Sequence, residues 1–212
     1  MKIQNLLKEG QQKLKKTIND SYQLDSEILM SKALHKKRKF ILLNLEKEID
    51  KGKSNIYMNL VNQRSQGKPI AYLIGKKDFW KYEFNVSKDV LIPRPDTELI
   101  IEKILDLTKH KSRLNILDIG VGSGCILLSI LREKPYFNGT GVDLSKKCLD
   151  ISKINALKLG IKNRVKFFKS DIDNFNYGKY DLIISNPPYI NKSKLKYLDK
   201  NVVCYEPIMA LD

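Results

Sequence analysis

The chain has 212 residues, of which 42% are apolar, enough to pack one large domain or two smaller ones. No stretch approaches the unbroken apolar length of a membrane span, and Lys2 and Lys8 put charge inside the first apolar segment, which excludes a signal peptide and points to a cytoplasmic protein with no membrane contact. A net charge of +15 invites a nucleic-acid reading, but the charge is mostly Lys spread along the chain, while Arg, the residue suited to bidentate phosphate and guanine contacts, is scarce.

Residues 1 to about 75 read as a small helical bundle. Ile3, Leu6, Leu7, Leu14 and Ile18 mark one amphipathic face. Asp25 or Ser26 is positioned to cap a second helix carrying Ile28, Leu29, Ala33 and Leu34. Phe40 to Leu43 and Ile56 to Val61 supply further helical faces. His35, followed by Lys36-Lys37-Arg38-Lys39, reads as a solvated helix end. Gly67-Lys68-Pro69 breaks the pattern.

Residues 76–98 read as a hairpin and linker. Phe79 to Val86 alternates as a strand or hairpin does, and Pro93 and Pro95 keep the backbone around Arg94 extended. A helix begins near Thr97, with Leu99, Ile100, Ile104 and Leu105 at helical spacing. Residues 99–212 read as a second domain, in which the period changes from 114 onward. Asn115 to Ile119, Thr140 to Asp143, Val165 to Phe168 and Tyr180 to Ser185 are short apolar runs, with helical stretches near 124–133 and 145–159 between the first three. That alternation predicts an α/β fold with a parallel, Rossmann-like sheet. Cys125, Cys148 and Cys204 are odd in number and far apart, which fits reduced thiols and argues against a disulfide framework or a zinc site.

Asp118-Ile119-Gly120-Val121-Gly122-Ser123-Gly124 sits where a strand ends and a helix opens. Its glycines permit positive φ and let a ligand lie on the backbone. The spacing is GxGxG; Cys125 stands where the dinucleotide fingerprint needs Gly. Asp143 ends the next strand, where a carboxylate accepts from both hydroxyls of a ribose. Ser170-Asp171 follows the third strand, where an acid and the next backbone N–H read an adenine edge. Asp118 beside the glycines would repel a pyrophosphate but suits a ligand carrying an ammonium and a sulfonium. S-adenosylmethionine has both and no phosphate.

Asn186-Pro187-Pro188-Tyr189 follows the fourth strand on the same edge. An amide or aromatic amino nitrogen is a poor nucleophile because its lone pair is delocalised. A site that alkylates it must hold its N–H groups so that the lone pair turns towards the methyl. The Asn186 side-chain oxygen is one acceptor and the Pro187 carbonyl the other; Pro188 keeps residue 187 extended, and Tyr189 offers a flat face to a planar substrate.

These residues resemble the class I S-adenosylmethionine-dependent methyltransferases that act on planar nitrogens. Lys77 to Trp80 with Val90 to Glu98, Pro69 to Gly75 upstream, and Tyr205-Glu206-Pro207 to Leu211 downstream are similar to the peptide chain release factor glutamine methyltransferases, the HemK/PrmC family. The resemblance implies methyl transfer to the side-chain amide (N5) of the glutamine in the Gly-Gly-Gln loop of class 1 release factors, with the helical N-terminal domain docking that protein. It implies that Asp118, Gly120, Val121, Gly122, Ser123, Gly124, Asp143, Asp171, Ile172 and Asn186 contact the cofactor. Asn186, Pro187, Pro188 and Tyr189 hold the glutamine, with Asn186, Pro187 and Tyr189 the catalytic set. Arg94 to Glu98 lies near the site, packing the proline segment, or else Arg94 pairs with Asp96 or Glu98 at the helix start. No metal is implied. The rival readings are an N6-adenine or other nucleic-acid amino-methyltransferase, which the hairpin and proline signatures disfavour, and a non-catalytic, truncated homologue. Family members run on past the equivalent of Asp212 to complete a seven-stranded sheet. On that basis the C-terminal strands are expected to be missing here and the fourth strand's edge unpaired, through a partial sequence, a decaying gene, or a split gene whose second polypeptide completes the sheet. A chain that ended there is expected to be poorly soluble and nearly inactive alone.

Overall fold

A computed structural model describes residues 1–17, 20–188 and 200–210 of the chain. Two compact units divide it, Met1–Ile74 and Gly75–Asp212. Among the described residues, no helix is long and apolar enough to cross a membrane.

The first unit contains α1 (Ile3–Lys15), α2 (Tyr22–Leu34), α3 (Arg38–Leu43), α4 (Lys51–Ser65) and α5 (Ile70–Ile74). In α1 the buried stripe is Ile3, Leu6, Leu7 and Leu14, as helical spacing requires; Ile18 lies outside the described residues. Gly10 on that stripe admits Tyr57 of α4, since a Cβ there would come within 2.0 Å of the tyrosine oxygen. The predicted cap of α2 is corrected. The helix starts earlier, at Tyr22, and both Asp25 and Ser26 lie buried inside it. Asp25 accepts from Arg64 Nε at 2.7 Å, and the Ser26 hydroxyl lies 2.6 Å from that of Tyr57. Buried polar groups need such partners, and these come from another helix, which local spacing cannot report. His35 ends α2 in the left-handed region, at φ 51°.

The second unit opens with an antiparallel hairpin, β1 (Lys76–Phe79) and β2 (Tyr82–Asn85), whose alternation buries Phe79 and Phe84. Trp80 turns the hairpin at φ 56°. Its backbone N–H donates to Glu98 at 2.8 Å and its indole N–H to Glu133 at 3.0 Å, bonds that offset the cost of a left-handed non-glycine residue. A 3₁₀ turn at Pro95–Thr97 leads into α6 (Glu98–Leu107).

Four parallel strands follow, β3 (Asn115–Ile119), β4 (Asn138–Asp143), β5 (Val165–Lys169) and β6 (Leu182–Ser185), in the spatial order β5-β4-β3-β6. Between them run α7 (Cys125–Glu133) and α8 (Lys146–Lys158), and α9 (Lys200–Tyr205) comes after β6. Ile126 to Leu131 of α7 are all buried, and all but Ser129 join Ile116, Phe137, Leu149 and Ile184 in the hydrophobic core. β6 pairs with β3; among the described residues no strand lies on its other side, and Ile183 is 61% exposed. The chain thus runs outward from β3 to β5 and returns to the opposite flank of β3. A reversal of this kind opens a crevice at the carboxyl ends of the strands.

Candidate active site

Strand register makes the carboxyl ends level. Ile119 lies beside Val142 on one flank and Ser185 on the other, and Asp143 lies beside Lys169. The residues that follow each strand therefore meet around one cleft of about 580 Å³. Of the predicted residues it is lined by Gly120, Val121, Gly122, Ser123, Asp143, Asp171, Ile172, Asn186, Pro187 and Pro188. Asp118 and Gly124 do not line it. Tyr189 lies outside the described residues.

The turn after β3 carries three left-handed glycines, Gly120 (φ 73°), Gly122 (φ 56°) and Gly124 (φ 79°). A Cβ on Gly120 would meet nothing within 4 Å and one on Gly122 only the Gly120 oxygen at 3.9 Å, so both face open space that a ligand can fill. Gly124 is instead packed tight: its Cβ would come within 2.8 Å of Leu128. The Asp143 carboxylate accepts from the Gly122 N–H at 2.9 Å and the Ser145 N–H at 2.8 Å, which fixes it between two backbone donors at the cleft wall. Ser145 caps α8 through the Cys148 N–H.

Asp118 is buried beneath the turn rather than exposed to the cleft. Burial pushes its carboxyl up to about 7, against the pull of the Leu127 backbone N–H and with the nearby charge of Asp143. Asp171 starts the 3₁₀ turn Ile172–Asn174 and accepts from the Asp173 N–H at 3.2 Å. Ile172 is an exposed apolar wall beside it. The Ser185 hydroxyl donates to the Ile119 carbonyl at 3.1 Å, tying the base of Asn186 to the base of the glycine turn.

Several residues in or behind the cleft walls were not predicted as site residues. Glu206 is buried, with its side chain 1% exposed, and accepts from Arg94 Nη2 at 2.5 Å and from the Ile92 N–H at 3.4 Å. It replaces Asp96 and Glu98 as the partner of Arg94. The pair joins two walls of the cleft, Leu91 to Thr97 and Pro207 to Ala210. Its sequence signals are the Tyr205-Glu206-Pro207 stretch that contributes to the family resemblance and an acid placed before the apolar Ile208-Met209, and neither names Arg94 as its partner. Lys88 and Asp89 line the rim; Lys147 hydrogen-bonds Asp89 at 3.0 Å and holds its carboxyl below the usual range. Cys125 and Cys148 also line the cleft, but burial pushes their thiols up to about 12 and about 11, so both stay protonated and are poor nucleophiles.

Comparison with known proteins agrees with this architecture. The family model described as PrmC N-terminal domain matches residues 5–75, and that described as Methyltransferase small domain matches residues 95–203. The chain is 43% identical over 211 residues to the release factor glutamine methyltransferase of Buchnera aphidicola subsp. Schizaphis graminum, covering all of this chain and 75% of that one. It is 37% identical over 214 residues to the protein of that name from Clostridium acetobutylicum, again covering all of this chain and 75% of the relative. The catalytic domain of hMettl16, solved with a MAT2A 3′UTR hairpin, shares the fold at a TM-score of 0.50 and 21% identity, over 60% of this chain and 49% of that one. With identity at this level running through both units and three quarters of the relatives' length, the chain belongs to the release factor glutamine methyltransferase family.

Proposed function

We propose that the protein transfers the methyl group of S-adenosylmethionine to the side-chain amide nitrogen of the glutamine in the Gly-Gly-Gln motif of class 1 release factors. One observation carries the reading: a single cleft at the sheet's carboxyl edge contains both the glycine turn with Asp143 and the Asn186-Pro187-Pro188 segment. The open space above Gly120 and Gly122 and the fixed carboxylate of Asp143 fit an adenosine-containing ligand without phosphate. S-adenosylmethionine supplies an electrophilic methyl on sulfur.

The chain's own residues do the rest. Asp143 accepts from the ribose hydroxyls, and Asp171 and Ile172 take the adenine. Asn186 Oδ1 and the Pro187 carbonyl accept the two N–H groups of the glutamine amide, which turns its lone pair out of conjugation and towards the methyl. Once alkylated, that nitrogen is acidic and releases its proton, so neither acceptor has to act as a strong base. Tyr189, outside the described residues, is assigned to the planar amide from its place in the Asn186-Pro187-Pro188-Tyr189 sequence alone. Residues 1–75 dock the release factor, and the reaction belongs in the cytoplasm, where that substrate acts.

The test is labelled methyl transfer to a release factor, its glutamine-to-alanine variant, DNA and rRNA side by side. Label on the intact release factor alone is expected. Label on nucleic acid rejects the reading in favour of an amino-methyltransferase of nucleic acid, and label on the release factor irrespective of its glutamine rejects it in favour of a different protein residue.

A further inference from the structure

The glycines that allow the cofactor turn do not by themselves choose its shape. Gly122 and Gly124 flank Ser123, and glycine adopts positive and negative φ with nearly equal ease. The peptide units on either side of Ser123 are therefore free, sterically, to face either way. Something else must select the orientation.

Helix α8 supplies it. Ser152 and Asn155 are both fully buried polar residues on the stripe that also buries Leu149 and Ala156. Ser152 Oγ donates to the Gly122 carbonyl at 2.8 Å, and Asn155 Nδ2 donates to the Ser123 carbonyl at 2.9 Å. Two successive carbonyls of the turn are thus drawn towards α8. Because C=O and N–H of a trans peptide point in opposite directions, the Ser123 N–H is directed away from Ser152, on the side of the cleft that Ser123 lines. Asp143 completes the selection by accepting the Gly122 N–H.

Asn155 also reaches a second wall. Its Oδ1 accepts the Asn85 N–H at 2.7 Å and its Nδ2 donates to the Asn85 carbonyl at 3.0 Å, so the side-chain amide pairs with the end of β2 as a neighbouring strand would. The orientation of the amide is determined, since both N–H donors face carbonyls and its oxygen faces an N–H. A few residues on, Cys148 Sγ and Lys147 Nζ of the same helix hold the Asp89 carbonyl and carboxylate. Lys88 and Asp89 line the cleft.

We infer that Ser152 and Asn155 are positioning residues for cofactor binding: they select the one turn conformation that presents the Ser123 N–H, and Asn155 sets the spacing between that turn and the wall beginning at Asn85. The inference rests on the proposed use of the cleft for S-adenosylmethionine. It is tested on the full chain by calorimetric titration with S-adenosylhomocysteine, thermal unfolding, and methyl transfer to a release factor at varied cofactor concentration.

For Ser152→Ala the cofactor Kd and KM are expected to rise roughly tenfold, with kcat at saturating cofactor changed less than about twofold, and Asn155→Ala is expected to do more. Ser26→Ala, which removes a comparably buried hydroxyl contact in the helical unit, is the control and keeps the wild-type cofactor Kd. If Asn155→Ala fails to fold, Ser152→Ala still decides. Ser152→Ala binding S-adenosylhomocysteine as tightly as wild type, whatever its melting temperature, overturns the inference alone. A wild-type chain that binds none overturns the proposed function and the inference with it.

Discussion

The glycine turn and the Asn186 segment face the same cleft but are held by different means. The turn follows a strand paired on both sides, with the half-buried Asp143 and the buried Ser152 and Asn155 side chains bonded to its backbone. Asn186 follows β6, which pairs with β3 alone among the described residues, and Pro187 and Pro188 are exposed. The contrast suits the two ligands. A small cofactor gains affinity from a rigid, pre-formed cradle, whereas a loop of another protein must enter and leave, and proline rather than burial keeps its acceptor in place.

The largest expected effect tests whether the exposed wall carries the chemistry. Asn186→Ala removes the side-chain acceptor, and methyl transfer should fall by roughly 100-fold or more, with S-adenosylhomocysteine affinity falling far less. If the two fall together, the division between a cofactor wall and an acceptor wall breaks.

A smaller effect addresses the strap between the walls. Arg94→Ala leaves the buried Glu206 carboxylate without its cation, which should cost about 3 kcal/mol of stability. Glu206→Gln keeps an acceptor for the Ile92 N–H and leaves a guanidinium that is 41% exposed and hydrated, and should cost only about 1 kcal/mol. Denaturant unfolding of the two variants measures the asymmetry; equal losses would mean that the pair is effectively solvated.

The smallest effect lies beneath the rigid wall. Asp118 has a folded-state pKa raised to about 7, above its ordinary value of 3.8. A raised acid pKa means that the folded state holds its proton where the unfolded chain has lost it. Its contribution to stability is therefore complete below 3.8, declines as pH rises towards about 7, and is flat above that. Asp118→Asn should flatten the profile of melting temperature against pH across that window. An unchanged slope would assign the dependence elsewhere.

Much of this was legible from residue order. Strand–helix alternation from Asn115 onward predicts the parallel sheet, because period and turn chemistry are local properties of the backbone. The glycine turn, Asp143, Asp171 and Asn186 could all be named because each lies just after an apolar run, and parallel strands put all such ends on one edge. Asp118 shows where that reasoning fails. A strand residue next to a ligand turn can face either side, and only packing against α7 decides that its carboxyl is buried rather than exposed to the cleft.

What the sequence determined by itself is therefore the set of short-range conformations: left-handed glycines after β3, an extended Pro-flanked Arg94, a hairpin at Phe79 to Phe84, and acids at strand ends. Tertiary structure alone decided the pairings that turn those pieces into a cleft. Arg94 meets Glu206 across 112 positions and Asn155 clasps Asn85 across 70, and no periodicity spans such distances. In each, one partner is a buried side chain, Glu206 or Asn155, bonded to a group far away in the chain. They form only once the fold has brought distant segments together and excluded water from at least one partner, Glu206 or Asn155, and Asn155 bonds the glycine turn as well.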